Sequence, residues 1–320
     1  MRPVIKRGVR VVWRDRRTLQ LGLDPARCVV LADLAPPAAA YVLGIDGSRT
    51  REQLLVAAPG HGLSPAEADV LLTALETARV VDDQTAVESA LAGMDPAPRA
   101  RLRDEMAAAA LATSTPGGGA AAVARRNSQR VRVVGESRTA ATTAVLLDAA
   151  GMRVDTSAEL PPEEAETTRG DAVVLAAGGW PLPQLTAALT TAGIAHLPVT
   201  LCEGEAVVGP YVVPGRTPCL RCRSLHRTGR DPAWPLLEAQ LAAPTTHEPA
   251  AAATTEALAG ALAARLVIAV LDATGEGAGV EQVDPALVAT AYVLPVGAPL
   301  PRPRPVPWHP ACGCRWSAVA

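Results

Sequence analysis

The sequence contains no phenylalanine, and its only lysine is Lys6. Alanine, arginine and proline are abundant instead, which is typical of a GC-rich coding bias and carries no functional information. The scarcity of lysine does exclude one kind of chemistry. A phosphate-binding site in the C-terminal part of this chain has no lysine ammonium of its own to use.

Long apolar segments of the targeting type are also missing. The first residues carry Arg2, Lys6, Arg7 and Arg10, but no apolar core of signal-peptide length follows them. The longest apolar stretch, residues 250–273, contains both acidic and basic residues and predicts a buried helix, not a membrane span. We therefore expect a cytoplasmic protein without a membrane partner.

What the chain does have is enough apolar material for a full core. It has 320 residues, of which 49% are hydrophobic, and a net charge of −2, which predicts two folded domains. Six cysteines in a reducing compartment favour metal thiolates over disulfides.

Residues 1–83 predict a small winged-helix-like α+β domain. Strand-like runs occupy residues 9–13, 18–23 and 28–31, and helical patterns occupy 36–43, 50–57 and 64–78. The last helix begins with Ser64, Pro65 and Glu67, which are an N-cap, a first-turn proline and a capping-box acid. Residues 84–129, rich in alanine and glycine, are interpreted as a helical linker.

Residues 130–320 predict an α/β domain with a Rossmann-like doubly wound sheet. Strands at 131–134, 152–155, 172–176 and 196–201 alternate with helices at 138–150 and 183–192. After residue 203 the pattern changes to a hairpin and then to the cysteines.

Four cysteines form two closely spaced pairs. Cys219 and Cys222 are a C-x-x-C pair, and Cys312 and Cys314 are a C-x-C pair. Each pair can occupy two corners of a tetrahedron, so the spacing predicts one structural zinc ion (Zn2+), a zinc knuckle with no open position for catalysis. The alternatives are unrelated thiols, a disulfide-prone pair, or a site in which His309 replaces one thiolate.

The remaining two cysteines stand alone. Cys202 follows a predicted strand, where a reactive thiol could accept a thioester. The alternative for both Cys28 and Cys202 is a small buried hydrophobic residue.

The turn at residues 135–140, GESRTA, lies where a glycine-rich loop would hold phosphates. Only Gly135 of that pattern is present. Ser137 places a side chain where the backbone must approach a ligand, Glu136 adds negative charge, and Arg138 compensates in part. Asp155 lies where a ribose-binding acid would follow, although it is equally explained as an ordinary turn aspartate.

Together these features resemble the ThiF-type adenylyltransferase family. The resemblance rests on the strand–glycine–helix unit, on residues 209–222 (GPYVVPGRTPCLRC) and on the C-terminal C-x-C pair. It implies that the four paired cysteines are zinc ligands, that Gly135 and Asp155 are nucleotide-binding positions for ATP and Mg2+, and that the protein forms a homodimer. The N-terminal unit is similar to leader-peptide recognition domains. The whole chain therefore resembles the partner proteins of YcaO cyclodehydratases.

The chain departs from active members of that family at the residues that handle phosphate. Those members place an arginine, a glutamine and a lysine after the acid, but only residues 156–170 separate Asp155 from the next strand. They also end that strand with a magnesium-binding aspartate, whereas Asp171 precedes it here. Adenylyl transfer depends on charge neutralisation and positioning, so these losses argue against intrinsic adenylation.

The leading hypothesis is a scaffold that binds a peptide or small protein substrate and a YcaO-type enzyme. A leader peptide would pair with strand 28–31 beside helix 64–78. The arginines at positions 10, 14, 16, 17 and 27 would attract an acidic peptide, or they form a solvated face.

Two other functions remain as alternatives. One is an active ATP-dependent adenylyltransferase that activates a ubiquitin-like or sulfur-carrier protein. The other is a DNA-binding winged helix, which ranks last because helix 64–78 carries Glu67, Asp69 and Glu76 and would repel phosphates. No nucleic-acid partner is expected.

Overall fold

A computed structural model describes residues 1–25, 28–168, 170–243, 250–274 and 283–315. The chain divides into two compact units, Met1–Ala124 and Arg125–Ala320. The segment interpreted above as a linker, residues 84–129, thus falls mostly within the first unit.

The first unit is a small α+β region. Its elements are β1 (Pro3–Ile5), β2 (Val11–Trp13), β3 (Leu19–Leu21), β4 (Val29–Leu31), α1 (Pro36–Leu43), α2 (Arg51–Ala57), α3 (Pro65–Thr77), β5 (Val81–Asp83), α4 (Gln84–Ala90), α5 (Pro96–Ala112) and α6 (Gly118–Ser128), the last of which crosses the boundary between the units. Strands β2, β3 and β4 form one antiparallel sheet, and β1 pairs with β5 in another.

Local sequence signals account for the helices that pack with the β2–β3–β4 sheet. Thr50 with Gln53 and Ser64 with Glu67 form complete capping boxes at the starts of α2 and α3. Below them lies one apolar core, to which β3, α1, α2 and α3 contribute Leu19, Leu21, Tyr41, Leu54, Leu72 and Leu75.

Residues 84–124 fold as helices with a core of their own, which a flexible linker would lack. Leu91, Leu102, Met106 and Val123 are buried together. The single lysine contacts these helices: the buried Lys6 ammonium donates hydrogen bonds to the carbonyls of Ala110 (2.5 Å) and Thr113 (3.1 Å). A cation at the C-terminal end of α5 is favourable, although burial lowers the pKa of Lys6.

The second unit is an α/β fold around a seven-stranded mixed sheet. Its elements are β6 (Arg130–Val134), α7 (Arg138–Ala149), β7 (Arg153–Ser157), β8 (Ala172–Gly178), α8 (Pro183–Thr191), β9 (His196–Cys202), β10 (Glu205–Val208), α9 (Leu220–Thr228), α10 (Trp234–Leu241), α11 (Ala253–Thr274), α12 (Pro285–Val288), β11 (Thr290–Leu294) and β12 (Arg302–Pro305). The strand order is β12-β11-β10-β9-β8-β6-β7. Strands β7, β6, β8 and β9 are parallel, and the other three are antiparallel to their neighbours.

Helices cover both faces of this sheet, because alternate residues of its parallel strands point to opposite sides. On one face Val131 and Val174 pack with Leu147 of α7 and Val267 of α11. On the other face Val173 and Leu175 pack with residues of α8, including Leu185 and Leu189.

Helix α11 has the length and apolar composition of a membrane span, but in the structure it packs into the core of the second unit. Eight of its residues are buried. Its Gly260 lies so close to α7 that a Cβ there would stand 2.7 Å from the Thr139 carbonyl oxygen. The Thr143 hydroxyl donates to the Gly260 carbonyl at 3.3 Å, so the contact between the two helices is partly polar.

Strand β12 forms one edge of the sheet and pairs with β11 alone among the described strands. Proline and arginine alternate along it, from Arg302 to Pro305. All four side chains are exposed. Prolines are tolerated in strands chiefly at such edges, because they have no N–H to donate to a neighbour.

Candidate functional site

The segment before the C-x-x-C pair is held to the sheet by backbone and hydroxyl hydrogen bonds. Val212 and His196 exchange two backbone hydrogen bonds of 2.8 and 2.9 Å. The Thr217 hydroxyl accepts from the Val213 N–H at 2.7 Å and donates to the Tyr211 carbonyl at 3.2 Å. These contacts place Cys219 at the N-cap of α9 and Cys222 in its first turn.

The C-x-C pair returns to this helix end and completes the four-cysteine cluster that the spacing predicts. The four sulfur atoms lie within 4.8 Å of one another. The Sγ atoms of Cys219 and Cys312 are 3.4 Å apart, and those of Cys222 and Cys314 are 3.5 Å apart. A tetrahedral zinc ion with Zn–S bonds of about 2.3 Å separates its sulfur ligands by about 3.8 Å. The cluster therefore has the donor set and the dimensions that zinc requires.

The surroundings favour a thiolate at one corner of the cluster. Hydrogen bonding from the Cys219 thiol lowers the pKa of Cys222, and the backbone N–H of His309, 3.4 Å from the Cys222 sulfur, adds to this shift. The start of α9 also carries a partial positive charge that stabilises thiolates. Thiolates, not thiols, are the form that binds metal.

The side chain of His309, the alternative ligand, makes other contacts. Its Nδ1 accepts a hydrogen bond from the Ala311 N–H at 3.2 Å, and its ring packs edge-on against His226 with centroids 4.7 Å apart. The four cysteines are the set whose ligand atoms converge.

The two single cysteines are half-buried and lie outside this cluster. Burial raises the pKa of Cys202, and the nearby Glu203 and Glu205 raise it further. A raised pKa keeps the thiol protonated at neutral pH, which is opposite to what a thioester-accepting nucleophile needs.

Zinc content tests the assignment of the four ligands. We expect one zinc ion per chain, and Cys312→Ser should weaken zinc binding by roughly 100-fold, because the roughly 10–16 kcal/mol typical of a structural zinc is shared among four ligands. The melting temperature should fall with the zinc content. Elemental analysis after dialysis against a chelator, together with thermal denaturation, measures both quantities. Cys28→Ser is the matched control and should leave both unchanged; a full zinc complement in Cys312→Ser would contradict the assignment.

The turn after β6 retains a glycine for a steric reason. Gly135 has a φ of 128°, which side-chain-bearing residues rarely adopt. A Cβ at this position would lie 2.4 Å from the Ala176 carbonyl oxygen of β8. Gly135 is therefore required by the close approach of β6 and β8, whether or not a nucleotide binds.

Ser137 occupies the helix end that a phosphate would otherwise use. Its hydroxyl accepts a hydrogen bond from the Ala140 N–H at 3.1 Å, as the N-cap of α7, and donates to the Ala176 carbonyl at 2.7 Å. The neighbouring Glu136 and Arg138 are exposed. One of the free N–H groups at the start of α7 thus already has an acceptor within the protein.

The two acidic residues considered for nucleotide and magnesium binding, Asp155 and Asp171, lie away from the turn at residues 135–140. Strand β7 continues to Ser157, so Asp155 is in its middle and not at its end as the sequence analysis placed it. Asp155 pairs in register with Arg132, which precedes Gly135 by three residues, or about 10 Å along the strand. The Asp155 carboxylate is 3.5 Å from the Arg130 guanidinium. Asp171 accepts a 2.8 Å hydrogen bond from the Arg130 N–H at the start of β8, opposite the end that faces the turn.

The stability of α7 tests the capping role of Ser137. Ser137→Ala removes one helix cap and should reduce the free energy of unfolding by about 0.5–2 kcal/mol. Chemical denaturation measures the change. The control is Ser89→Ala, at an exposed position within α4, which should be nearly neutral. Equal stability of the two variants would show that the hydroxyl contributes little to the helix end.

A cavity of about 580 Å³ adjoins the cysteine cluster, and the sequence analysis did not identify it. Its lining includes Cys219, Cys312, Trp180, Arg223 and Glu238. The Trp180 indole N–H donates to Glu238 at 3.2 Å, and Ser224 donates to the same carboxylate. The sequence signal for this cavity was weak: it consisted of tryptophans near the basic helix α9. Helix α10, which carries Glu238, has no distinctive motif.

No protein-family model and no curated protein sequence matches the chain. Solved structures do match it. A heterocyclase in complex with substrate and cofactor superposes with a TM-score of 0.69 at 17% identity, and the heterocyclase TruD with a TM-score of 0.67 at 17% identity. MccB of E. coli, solved with ATP, superposes with a TM-score of 0.61 at 12% identity. The sequence predicted a resemblance to ThiF-type adenylyltransferases and to the partner proteins of YcaO cyclodehydratases, and these matches to MccB and to the heterocyclases confirm it at the level of the fold.

The extent of these matches differs. Each covers 98% of this chain. The chain spans 39% and 42% of the two heterocyclase chains but 100% of the MccB chain. The heterocyclases therefore contain a large further part that this chain does not match.

Proposed function

We propose that the chain is a degenerate ThiF-type protein that binds the leader segment of a ribosomally made peptide and presents it to a YcaO-type cyclodehydratase. The observation that carries the proposal is the match over 98% of this chain to less than half of each heterocyclase chain. In this proposal a YcaO-type enzyme carries out the chemistry, and the chain binds and presents the peptide.

The turn at residues 135–140 supports a binding role over adenylation. Ser137 caps α7, Asp155 lies within β7, and Asp171 lies at the far end of β8. The only lysine, Lys6, is buried in the other unit and bonded to carbonyls there. Phosphoryl chemistry relies on cations and metal-binding carboxylates around the phosphates, and the described residues at this turn offer only Arg138.

The winged-helix-like first unit offers an edge for peptide binding. Strand β4 pairs with β3 alone among the described strands, and its Val30 side chain is 41% exposed. Helix α3 packs on the same core as β4. An extended peptide added beside β4 would gain backbone hydrogen bonds, with side-chain contacts providing specificity.

Exposed arginines around the same three-stranded sheet favour acidic peptides. Arg10, Arg14, Arg16 and Arg17 are exposed and make no ion pair with a carboxylate in the described parts of the chain. Arg27, which the sequence analysis grouped with them, lies outside the described residues. Such charges chiefly raise association rates and select among partners.

The zinc knuckle has a structural role in this proposal. A zinc ion held by the four thiolates would fix residues 312–314 against α9, within the doubly wound second unit. The protein would act in the cytoplasm, as a homodimer, with neither DNA nor a membrane as partner.

The second candidate is an active adenylyltransferase that uses ATP and Mg2+. The observation that favours it is the match to the full length of MccB, which has been solved with ATP. Residual nucleotide binding at Gly135, Ser137 and Arg138 is compatible with both candidates, so turnover is what separates them.

Exchange of pyrophosphate into ATP distinguishes the two functions. We expect the zinc-loaded full chain with Mg-ATP to show no exchange above an enzyme-free background, because Arg138 is the single cation that the described turn offers and Asp171 lies at the far end of β8. The assay is repeated with peptides selected on the protein as described next. Exchange above background in either condition would make the protein an adenylyltransferase and refute the scaffold function.

Peptide selection tests the binding edge. Peptides selected on the immobilised chain from a random library should be acidic, and Val30→Glu should weaken their binding about tenfold through repulsion and lost cross-strand contacts. The matched control is Val12→Glu on β2, at the opposite edge of the same sheet, where the side chain is 37% exposed. It should change affinity less than twofold, as measured by fluorescence anisotropy. Equal losses in both variants, or no loss in either, would contradict binding at β4.

A further inference from the structure

A second cavity, of about 560 Å³, shares Arg223 with the first and is lined by cationic side chains. Arg223 and Arg227 come from α9, Arg230 from the turn that follows it, and Arg304 from β12. His226 and His309 complete its polar lining, and none of the lining residues is acidic.

Among the described residues the four arginines have no carboxylate partner. None of them forms an ion pair within 4.0 Å in the parts of the chain that the structure describes. Burial lowers the pKa of Arg227; Glu238 opposes this shift, whereas Arg304 and Arg230 add to it. The negative charge of Glu238 acts on Arg223 and Arg227, and its carboxylate oxygens already accept hydrogen bonds from Trp180 and Ser224.

Neighbouring groups hold these cations in place. The Arg227 guanidinium lies 4.4 Å from the Trp234 ring centroid and 4.9 Å from that of Trp180. Arg223 lies 5.2 Å from the Trp180 centroid and donates to the Gly209 carbonyl at 3.3 Å. The Arg230 Nε donates to the His226 carbonyl at 3.2 Å. Contacts of this kind reduce the entropy that the side chains would lose on binding a ligand.

Stabilisation of the helix end does not explain the whole cluster. Cations near the C-terminal end of α9 are favourable, which accounts for Arg227. Arg304, however, comes from a different element, an edge strand. Arg223 and Arg227 are four residues apart on one helix, a spacing at which like charges destabilise. The convergence of the two elements therefore carries an energetic cost that a bound anion would offset.

We propose that this cavity binds the phosphate groups of a small anionic ligand. Guanidinium groups form paired hydrogen bonds with phosphate oxygens, and several around one cavity match the charge of a diphosphate. The volume is within the range of small-molecule sites, about 300–1,000 Å³. This site is separate from the turn at residues 135–140 and from the β4 edge, so it does not depend on the proposed function.

Calorimetric titration of the zinc-loaded full chain with inorganic pyrophosphate tests the site. We expect one binding event per chain whose affinity falls as salt concentration rises. The double variant Arg230→Ala/Arg304→Ala should bind at least tenfold more weakly. Arg230 and Arg304 are both exposed, so the variant should fold, which a thermal melt verifies. Arg302→Ala is the matched control: it removes a charge from the same strand, at a residue that does not line the cavity, and should change affinity less than twofold.

Three results would overturn the assignment. Absence of binding at millimolar pyrophosphate would refute a phosphate site. An equal loss of pyrophosphate affinity in Arg302→Ala would show that the overall positive charge of this surface attracts the anion and that the cavity does not bind it specifically. A glutamate-rich peptide that binds more tightly than pyrophosphate, and loses binding in the double variant, would assign the cavity to peptide carboxylates.

Discussion

The second unit depends on bringing four sulfur atoms within 4.8 Å of one another, from two distant parts of the chain, residues 219–222 and residues 312–314. Thiolates at this spacing repel one another, so a cation is needed to hold them together. The meeting of the two cysteine pairs places Trp308 and His309 beside α9. Residues 304–314 contribute to the lining of both cavities. If the two cysteine pairs separated, both cavities would therefore open.

The turn at residues 135–140 and the cationic cavity show that steric and electrostatic features are located in different parts of the second unit. At the turn, the close approach of β6 and β8 still requires Gly135, but Ser137 supplies the acceptor at the start of α7 from within the chain. Positive charge is instead concentrated on α9 and β12. The steric demands of the fold are thus met independently of its electrostatics.

Patterns within single elements were sufficient to predict much of this structure. The starts of α3 and α7, the strands from β6 to β9 and the meeting of the four cysteines follow from capping residues, apolar runs and spacing. Strands β11 and β12 were not predicted. For β12 the reason is that the proline-rich segment 301–307 is typical of a loop and pairs only through long-range contacts. The end of β7 was placed too early for a similar reason: Thr156 and Ser157 are polar, and their strand conformation comes from pairing with β6. The convergence of Arg304 with Arg227 likewise depends on tertiary contacts that no local motif encodes.

The alternating prolines of β12 limit how copies of this protein can associate. Along a strand, successive N–H groups point to opposite sides, so Pro303 and Pro305 leave the outer side of β12 without donors at those two positions. Another chain therefore finds few groups there with which to continue the sheet. If the protein forms a dimer, the two sheets should not join into one continuous sheet across β12, and the contact has to be made by other surfaces.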